Sequence, residues 1–320
     1  MCSRLIRWYA GRERLIRRGS SRTRGKRRMA LFGNDFLTRL EYLSIVSRKV
    51  FQGQMMAQRR TKQVGSGIEF ADHQPYNSGD DFRYIDWHQF ARHDELLLKR
   101  FQEEEDLHIY LLLDCSASMA TGAPAKFDLA RQVAAALAYI ALADLDRVAI
   151  FAFADGVAHH FPLTRGKARI LSVMQFLEEI PPDGGATNLA NLSREFVLRA
   201  PRPGLVVVLS DLFDPSGFRQ GLDVLRHHRF EPHVVQLFDA SEAEPTHLGD
   251  VELQDVESGE TRTLTVSETH LENYRAVFQK FMADVQEYCS TYGVGCTVSD
   301  TGTPFDELVL GMLRLNGAQP

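Results

Sequence analysis

The stretch LLLDCSASM (111–119) ends an apolar run on Asp114 and then places Ser116 and Ser118 at alternate positions. A strand that terminates on a carboxylate delivers it to the edge of a sheet, and hydroxyls two and four residues on can converge with it in the turn. Two further stretches offer donors of the same kind. GGATN (184–188) carries Thr187 just ahead of a predicted helix, and LSD (209–211) ends a second apolar run on Asp211. Together these are two carboxylates and three hydroxyls, all hard oxygen donors, with no thiolate or imidazole among them. That chemistry suits Mg²⁺ or Mn²⁺, with Mg²⁺–oxygen distances of about 2.0–2.1 Å and some water kept in the shell. Hydroxyls are weak ligands. A metal held largely by them stays electron-poor and ready for one more acidic oxygen, such as a partner's carboxylate.

Each donor also has a plainer use. A lone strand-end aspartate often caps the following turn, and Thr187-Asn188 can serve only as a helix N-cap. Asp214-Pro215 offers an aspartate close to Asp211, but the strand-end position favours Asp211. The joint pattern favours metal binding over these separate roles. Nucleophile chemistry finds no such pattern. A phosphatase loop CxxxxxR starting at Cys115 needs arginine where Thr121 stands, no GxSxG elbow is present, and a DxDxT phosphatase needs aspartate in place of Ser116. Cys115 reads as a small buried residue.

The elements that must position these donors follow from periodicity. LHIYLLL (107–113), VAIFAF (148–153), LVVVLS (205–210), HVVQLF (233–238) and VGCTVS (294–299) are short apolar runs of strand length. Between them lie helical patterns at 126–144, 166–180, 188–199 and 216–228. A long helix carries Leu271, Tyr274, Phe278, Phe281, Val285 and Tyr288 on one face, and a last helix is predicted at 304–315. Asp155-Gly156 offers a hairpin turn, so 157–161 reads as an antiparallel edge strand. Residues 250–266 read as a small hairpin. Strands apolar on both faces, alternating with helices, predict an α/β fold: a doubly wound, mostly parallel sheet covered on both sides. In such sheets ligand sites lie beyond the carboxyl ends of the strands, where the strand order reverses. N-terminal to it, Phe36, Leu40, Leu43, Val46 and Val50 predict an amphipathic helix. Residues 65–106 resist a periodicity assignment, so the extension is expected to be helical and irregular.

Asp114-Cys115-Ser116-Ala117-Ser118 resembles the DxSxS signature of von Willebrand factor A domains, whose metal-ion-dependent adhesion site is completed by a threonine and an aspartate from later loops. Thr187 and Asp211 match in order and context. A second resemblance covers about residues 35–316. EFADHQPY, GDDFRYIDW and the Ala91-Arg92 pair, with DVELQDVESGE (250–260) and the helix after it, are similar to the bacterial family called domain of unknown function 58. The two resemblances imply a von Willebrand factor A-like, Rossmann-type domain at 107–316 with a hairpin insertion at about 250–266, preceded by a family-signature region at 35–106 that packs on it. The second resemblance also implies a MoxR-type AAA+ ATPase as partner in chaperone-like maturation of other proteins.

Composition sets outer bounds. The 320 residues are 44% hydrophobic and 25% charged, as in a globular protein. No apolar run is long enough to span a bilayer, so no transmembrane segment is expected. Four cysteines without CxxC spacing suggest a reducing compartment, and a cytoplasmic location is expected. The net charge of −5 hides an asymmetry. Residues 1–28 hold eleven Arg/Lys and one acid, Glu13, whereas the remainder is acidic. Residues 1–34 therefore read as a disordered basic arm, an Arg-rich targeting segment, or the product of a start assigned upstream of Met29. The acidic folded part gives no reason to expect nucleic-acid binding.

The resulting expectation is a non-enzymatic interaction module that binds Mg²⁺ or Mn²⁺ and takes an acidic residue of a protein partner. The alternatives are a metal-dependent phosphohydrolase-like enzyme and a structural scaffold whose metal site has decayed.

Overall fold

The computed structural model describes residues 31–33, 35–46, 64–65, 69–102, 107–182, 185–255 and 260–315. The basic arm expected at 1–34 falls almost wholly outside them, as do Val50 and the tip of the 250–266 hairpin. The chain divides into two compact units.

Helix 35–46 (α1) belongs to the larger unit, together with the described residues from Leu107 onward. Its apolar stripe works as its spacing predicts: Phe36, Leu40 and Leu43 are buried. Phe36 packs on Phe305 with ring centroids 4.6 Å apart, and Arg39 pairs with Asp306. The expected region 35–106 is therefore not one body. Its first helix is anchored by an aromatic contact and an ion pair to the C-terminal helix.

The smaller unit also differs from the expected helical and irregular extension. β1 (Val64–Gly65), β2 (Glu69–Pro75) and β3 (Leu97–Gln102) form an antiparallel sheet in the order β1-β3-β2, with a bulge in β2 between Phe70 and Asp72. A two-residue strand and a bulge erase the alternation that reveals strands in a sequence. Charged side chains around Trp87 are engaged in caps and ion pairs. Asp86 caps α2 (Trp87–His93), accepting from the His88 and Gln89 amides, and also meets His73 and Lys99. Asp81 pairs with Arg83.

In the larger unit β4 (His108–Asp114) is central. α3 (Lys126–Ala143) leads from it to β5 (Arg147–Phe153), and the chain returns through the antiparallel edge strand β6 (Val157–Arg165). α4 (Ile170–Glu179) and α5 (Leu189–Arg199) then carry it to β7 (Leu205–Ser210), on the other side of β4. α6 (Arg219–His227), β8 (Glu231–Phe238), the short α7 (Ala240–Ala243), the hairpin β9 (Gly249–Gln254) and β10 (Thr261–Val266), α8 (Glu268–Thr291), β11 (Gly295–Asp300) and α9 (Phe305–Leu315) complete it. The sheet order is β11-β8-β7-β4-β5-β6, parallel except at β6.

This mixed α/β arrangement is compatible with the doubly wound expectation. Residues of one parity on the central strands, such as Tyr110, Leu112, Phe151, Val206 and Val208, pack against α5, α6 and α8. Phe196 sits among the rings of Tyr110, Phe151 and Phe230 at 5.0–5.1 Å on the α5 side. Opposite-parity residues, including Leu111, Leu113 and Ile150, are buried on the face that α3 crosses, with α4 and α9 beside it. The alanine-rich sequence of α3 keeps that helix close to the sheet. The chain leaves β4 in one direction for β5 and β6, then in the other for β7, β8 and β11. The strand order thus reverses at β4, and the crevice beyond its carboxyl end is where such sheets bind ligands. Among the described residues no helix is long and apolar enough to cross a membrane.

Candidate metal centre

Asp114 is the last residue of β4, and its parity matches Tyr110 and Leu112. It is fully buried. Its Oδ1 accepts the Ser116 amide at 2.9 Å, a turn that brings the two hydroxyls beside the carboxylate. Ser116 Oγ and Ser118 Oγ are 3.1 Å apart. Cys115 alternates away and its thiol donates to the Phe153 carbonyl, as a small buried residue should.

Thr187 reaches the same carboxylate from a different loop. Its hydroxyl donates to Asp114 Oδ2 at 3.4 Å. The N-cap of α5 is Asn188, whose side chain accepts the Asn191 amide, so the threonine hydroxyl is not spent on the helix. Three contacts hold this loop in place. The Leu189 amide donates to Asp214 Oδ2 at 2.7 Å, so Asp214 secures the start of α5 from the β7–α6 turn. Gly221 lets α6 approach, because a Cβ there would lie 2.5 Å from Leu189 Cγ and 2.8 Å from its backbone. The Ala117 amide donates to the Gly185 carbonyl and joins the two donor loops directly.

Asp211 arrives just beyond β7. Leu212 adopts left-handed backbone (φ 59), a strained choice for a branched residue that turns the chain back on itself. The Phe213 amide then donates to Asp211 Oδ1 at 3.0 Å. Asp211 Oδ2 accepts from Lys126 Nζ at 2.8 Å, and the same ammonium donates to Glu242 Oε1. All three side chains are buried. Burial opposes the charge on Lys126, but the two carboxylates outweigh it and raise its pKa above the ordinary lysine value. Burial raises Glu242, with Lys126 pulling the other way.

The structure therefore brings Asp114, Ser116, Ser118 and Thr187 into one hydrogen-bonded cluster. Asp211 stands beside it, coupled to Asp114 through charge and tied by its own oxygens to Lys126 and Phe213. Three participants were not singled out from sequence. Ser210 donates to Asp114 Oδ2 at 2.5 Å and accepts the Leu212 amide. Its signal was strand parity, which matches Val206 and Val208. Lys126 carried a second signal, since a cation in the first turn of a helix opposes the helix dipole unless a carboxylate compensates it. Glu242 carried none.

The donor set can be tested for fit to a small divalent cation. Adjacent oxygens around an octahedral Mg²⁺ lie about 3 Å apart. The Ser116–Ser118 and Thr187–Asp114 separations of 3.1 and 3.4 Å suit that spacing. Among the described residues no group of three or more His, Cys, Asp or Glu gathers as a metal site, so a centre here rests on hydroxyls as well as carboxylates. With protein groups alone around it, burial and the neighbouring charge of Asp211 push Asp114 up to about 7. A divalent cation inverts that logic by making the ionised carboxylate the favoured form. The residues thus fit. Asp114, Ser116, Ser118 and Thr187 would hold the ion, with Asp211 at its side. The rim is made of small residues: Ala120 is exposed, and Ala117, Gly185 and Ala186 are half-buried.

A family described as protein of unknown function DUF58 matches residues 72–288. The chain belongs to the DUF58 family. Its relatives include the uncharacterized protein Rv1480 of Mycobacterium tuberculosis H37Rv and the uncharacterized protein Mb1516 of Mycobacterium bovis. Each is 27% identical over 227 residues, covering 69% of this chain and 71% of the relative. Among solved structures, the chain is similar to the conserved hypothetical protein BatB from Bacteroides thetaiotaomicron, with TM-score 0.40 and 13% identity, over 67% of this chain and all of that one. It is also similar to an aerotolerance-related membrane protein from Bacteroides fragilis, with TM-score 0.38 and 14% identity, over 65% of this chain and 99% of that one.

Proposed function

We propose that this DUF58 chain is a non-enzymatic, divalent-metal-dependent protein-interaction module. A von Willebrand factor A-like domain holds Mg²⁺ or Mn²⁺ through Asp114, Ser116 and Ser118, with Thr187 and Asp211 engaged directly or through water. The bound ion supplies a Lewis-acidic position that a carboxylate of a partner protein completes. The partner is a MoxR-type AAA+ ATPase in the cytoplasm, and the pair acts in chaperone-like maturation of other proteins.

The observation that carries this reading is the convergence of one carboxylate and three hydroxyls at the point where the strand order reverses. The chain's own groups do the positioning. The Ser116 amide orients Asp114, Ser210 fixes its second oxygen, and Asp214 holds the threonine loop. Lys126, the one ammonium beside the cluster among the described residues, is committed to two carboxylates, and with an ion bound the Asp114 carboxylate is engaged as a ligand and is no free general base. That favours adhesion over hydrolysis.

The test is calorimetric titration of Mg²⁺ and Mn²⁺ into chelator-stripped protein beside Asp114→Ala, repeated with the ATPase present. Binding that Asp114→Ala abolishes, and metal-dependent capture of the ATPase, support the reading. Metal-independent capture, or heat unchanged by Asp114→Ala, refutes it.

A further inference from the structure

Cys289 and Cys296 lie on either side of the tight connection from α8 into β11. The Val294 amide donates to the Cys289 carbonyl at 2.8 Å, and Gly293 supplies the left-handed turn (φ 65) that makes this return possible. Val294 and Cys296 then lie on the same face of the chain entering β11, and both pack into the cluster that contains Cys289. The two thiols are near enough for each to shift the titration of the other. Cys289 is buried, whereas Cys296 is half-exposed. Both line an open pocket of about 430 Å³, with Gln286, Ser290 and Val298 on its walls. The pocket lies at the edge strand of the sheet, three strands from β4. Cys296 is near the start of β11, whereas the metal-centre residues lie at the carboxyl ends of their strands.

We propose that Cys289 and Cys296 form a hydroperoxide-sensitive thiol pair, in which Cys296 is the attacking sulfur and Cys289 the resolving one. The asymmetry of their surroundings assigns the roles. The neighbouring Cys289 holds the Cys296 thiol below its ordinary value, and Cys296 together with burial holds Cys289 protonated. A thiolate that is reachable from solvent is the nucleophile in such chemistry. In the first step the Cys296 thiolate attacks one peroxide oxygen. The S–O bond forms, the O–O bond breaks, and the leaving oxygen takes a proton to become water or an alcohol. Cys296 is now a sulfenic acid. In the second step the Cys289 sulfur gives up its proton and attacks Cys296. The S–S bond forms, and hydroxide leaves with that proton as water. One peroxide is reduced and two thiols are oxidised. The disulfide ties the end of α8 to the edge strand and closes the pocket's inner wall. A dithiol reductant reverses it by thiol–disulfide exchange. This inference stands independently of the metal centre.

The experiment is hydrogen peroxide treatment of the folded full chain, followed by alkylation and peptide mapping without reductant. The expected result is a Cys289–Cys296 linked peptide, lighter by two hydrogens and restored by dithiothreitol, with Cys115 still a thiol. Before oxidation, Cys296 should alkylate about tenfold faster than Cys289. In Cys289→Ser, a dimedone adduct should accumulate on Cys296. Persistence of both thiols at excess peroxide overturns the proposal, as does a disulfide from either cysteine to any other. These readouts use the unaltered protein first, so a variant that fails to fold leaves the test intact.

Discussion

Lys126 Nζ lies 2.8 Å from Asp211 Oδ2 with both side chains fully enclosed, and Glu242 closes the same ammonium from the other side. A cation at the start of α3 thus bridges the β7 edge to the turn after β8. Isolated buried charges are costly, so each of the three depends on the others being present.

Replacing Lys126 alone leaves two carboxylates facing a dry space. Lys126→Met is expected to cost about 3–5 kcal/mol, the usual penalty for removing one member of a buried ionic group. The triple change Lys126→Met, Asp211→Asn, Glu242→Gln should recover much of that loss, because no unpaired charge then remains. Urea unfolding of the two variants beside the parent measures both values. A near-neutral Lys126→Met would mean that water reaches the triad.

Asp214 supports the candidate metal centre without belonging to it. Its carboxylate accepts the Leu189 amide at 2.7 Å and the Ser216 amide at 2.7 Å, so it locks the β7–α6 turn to the start of α5. Asp214→Ala should cost about 1–2 kcal/mol, as loss of a helix N-terminal acceptor does. It should also weaken Mg²⁺ binding about tenfold by loosening Thr187, in line with other supports of ligating residues. Titration calorimetry on folded Asp214→Ala decides this, and unchanged affinity would remove Thr187 from the ligand set.

Much of this arrangement was legible in the sequence, and what was not has physical causes. The apolar runs at 107–113, 148–153 and 205–210 lie within one residue of the strand ends, because strands buried on both faces admit little else. The six apolar positions from Leu271 to Tyr288 are all buried, since α8 has one covered face. Residues 64–102 were opaque because a bulged, short-stranded sheet has no lasting period. Asp114, Ser116, Ser118 and Thr187 converge because strand ends and helix starts fix their edge of the sheet. Lys126 carried a local signal in the first turn of its helix, but its partner Glu242 did not, because their pairing joins residues 116 apart in sequence.

Ala120 offers a way to separate the proposed metal binding from the proposed partner binding. It is exposed at the end of the short turn that begins at Ser118, and it donates its amide to Ala117 without contributing a side-chain donor. Ala120→Gln should leave Mg²⁺ affinity unchanged, yet block a partner carboxylate from reaching the ion and abolish capture of the ATPase. Calorimetry with metal alone and with partner reads the two effects separately. Retained capture would place the docking surface elsewhere.

His233 provides a pH dependence away from the candidate metal centre. It lies in β8 between β7 and β11, with its ring against Thr297 Oγ1 at 2.9 Å, and Gly295 leaves the room it fills. Burial lowers its pKa to about 4. In the unfolded chain the ring titrates near about 6.5. Between these values the unfolded state holds a proton that the folded state excludes, so stability rises with pH across the window. The folded form has its full stability above about pH 6.5 and loses it as pH falls toward 4. At pH 5 the loss from this residue is about 2 kcal/mol. His233→Gln keeps a hydrogen-bonding group for Thr297 and cannot titrate. The stability difference between parent and His233→Gln should therefore shift in favour of the variant as pH drops from 7.5 to 5 in urea unfolding. A difference constant across that range would show that His233 is protonated in place, with solvent admitted between β8 and β11.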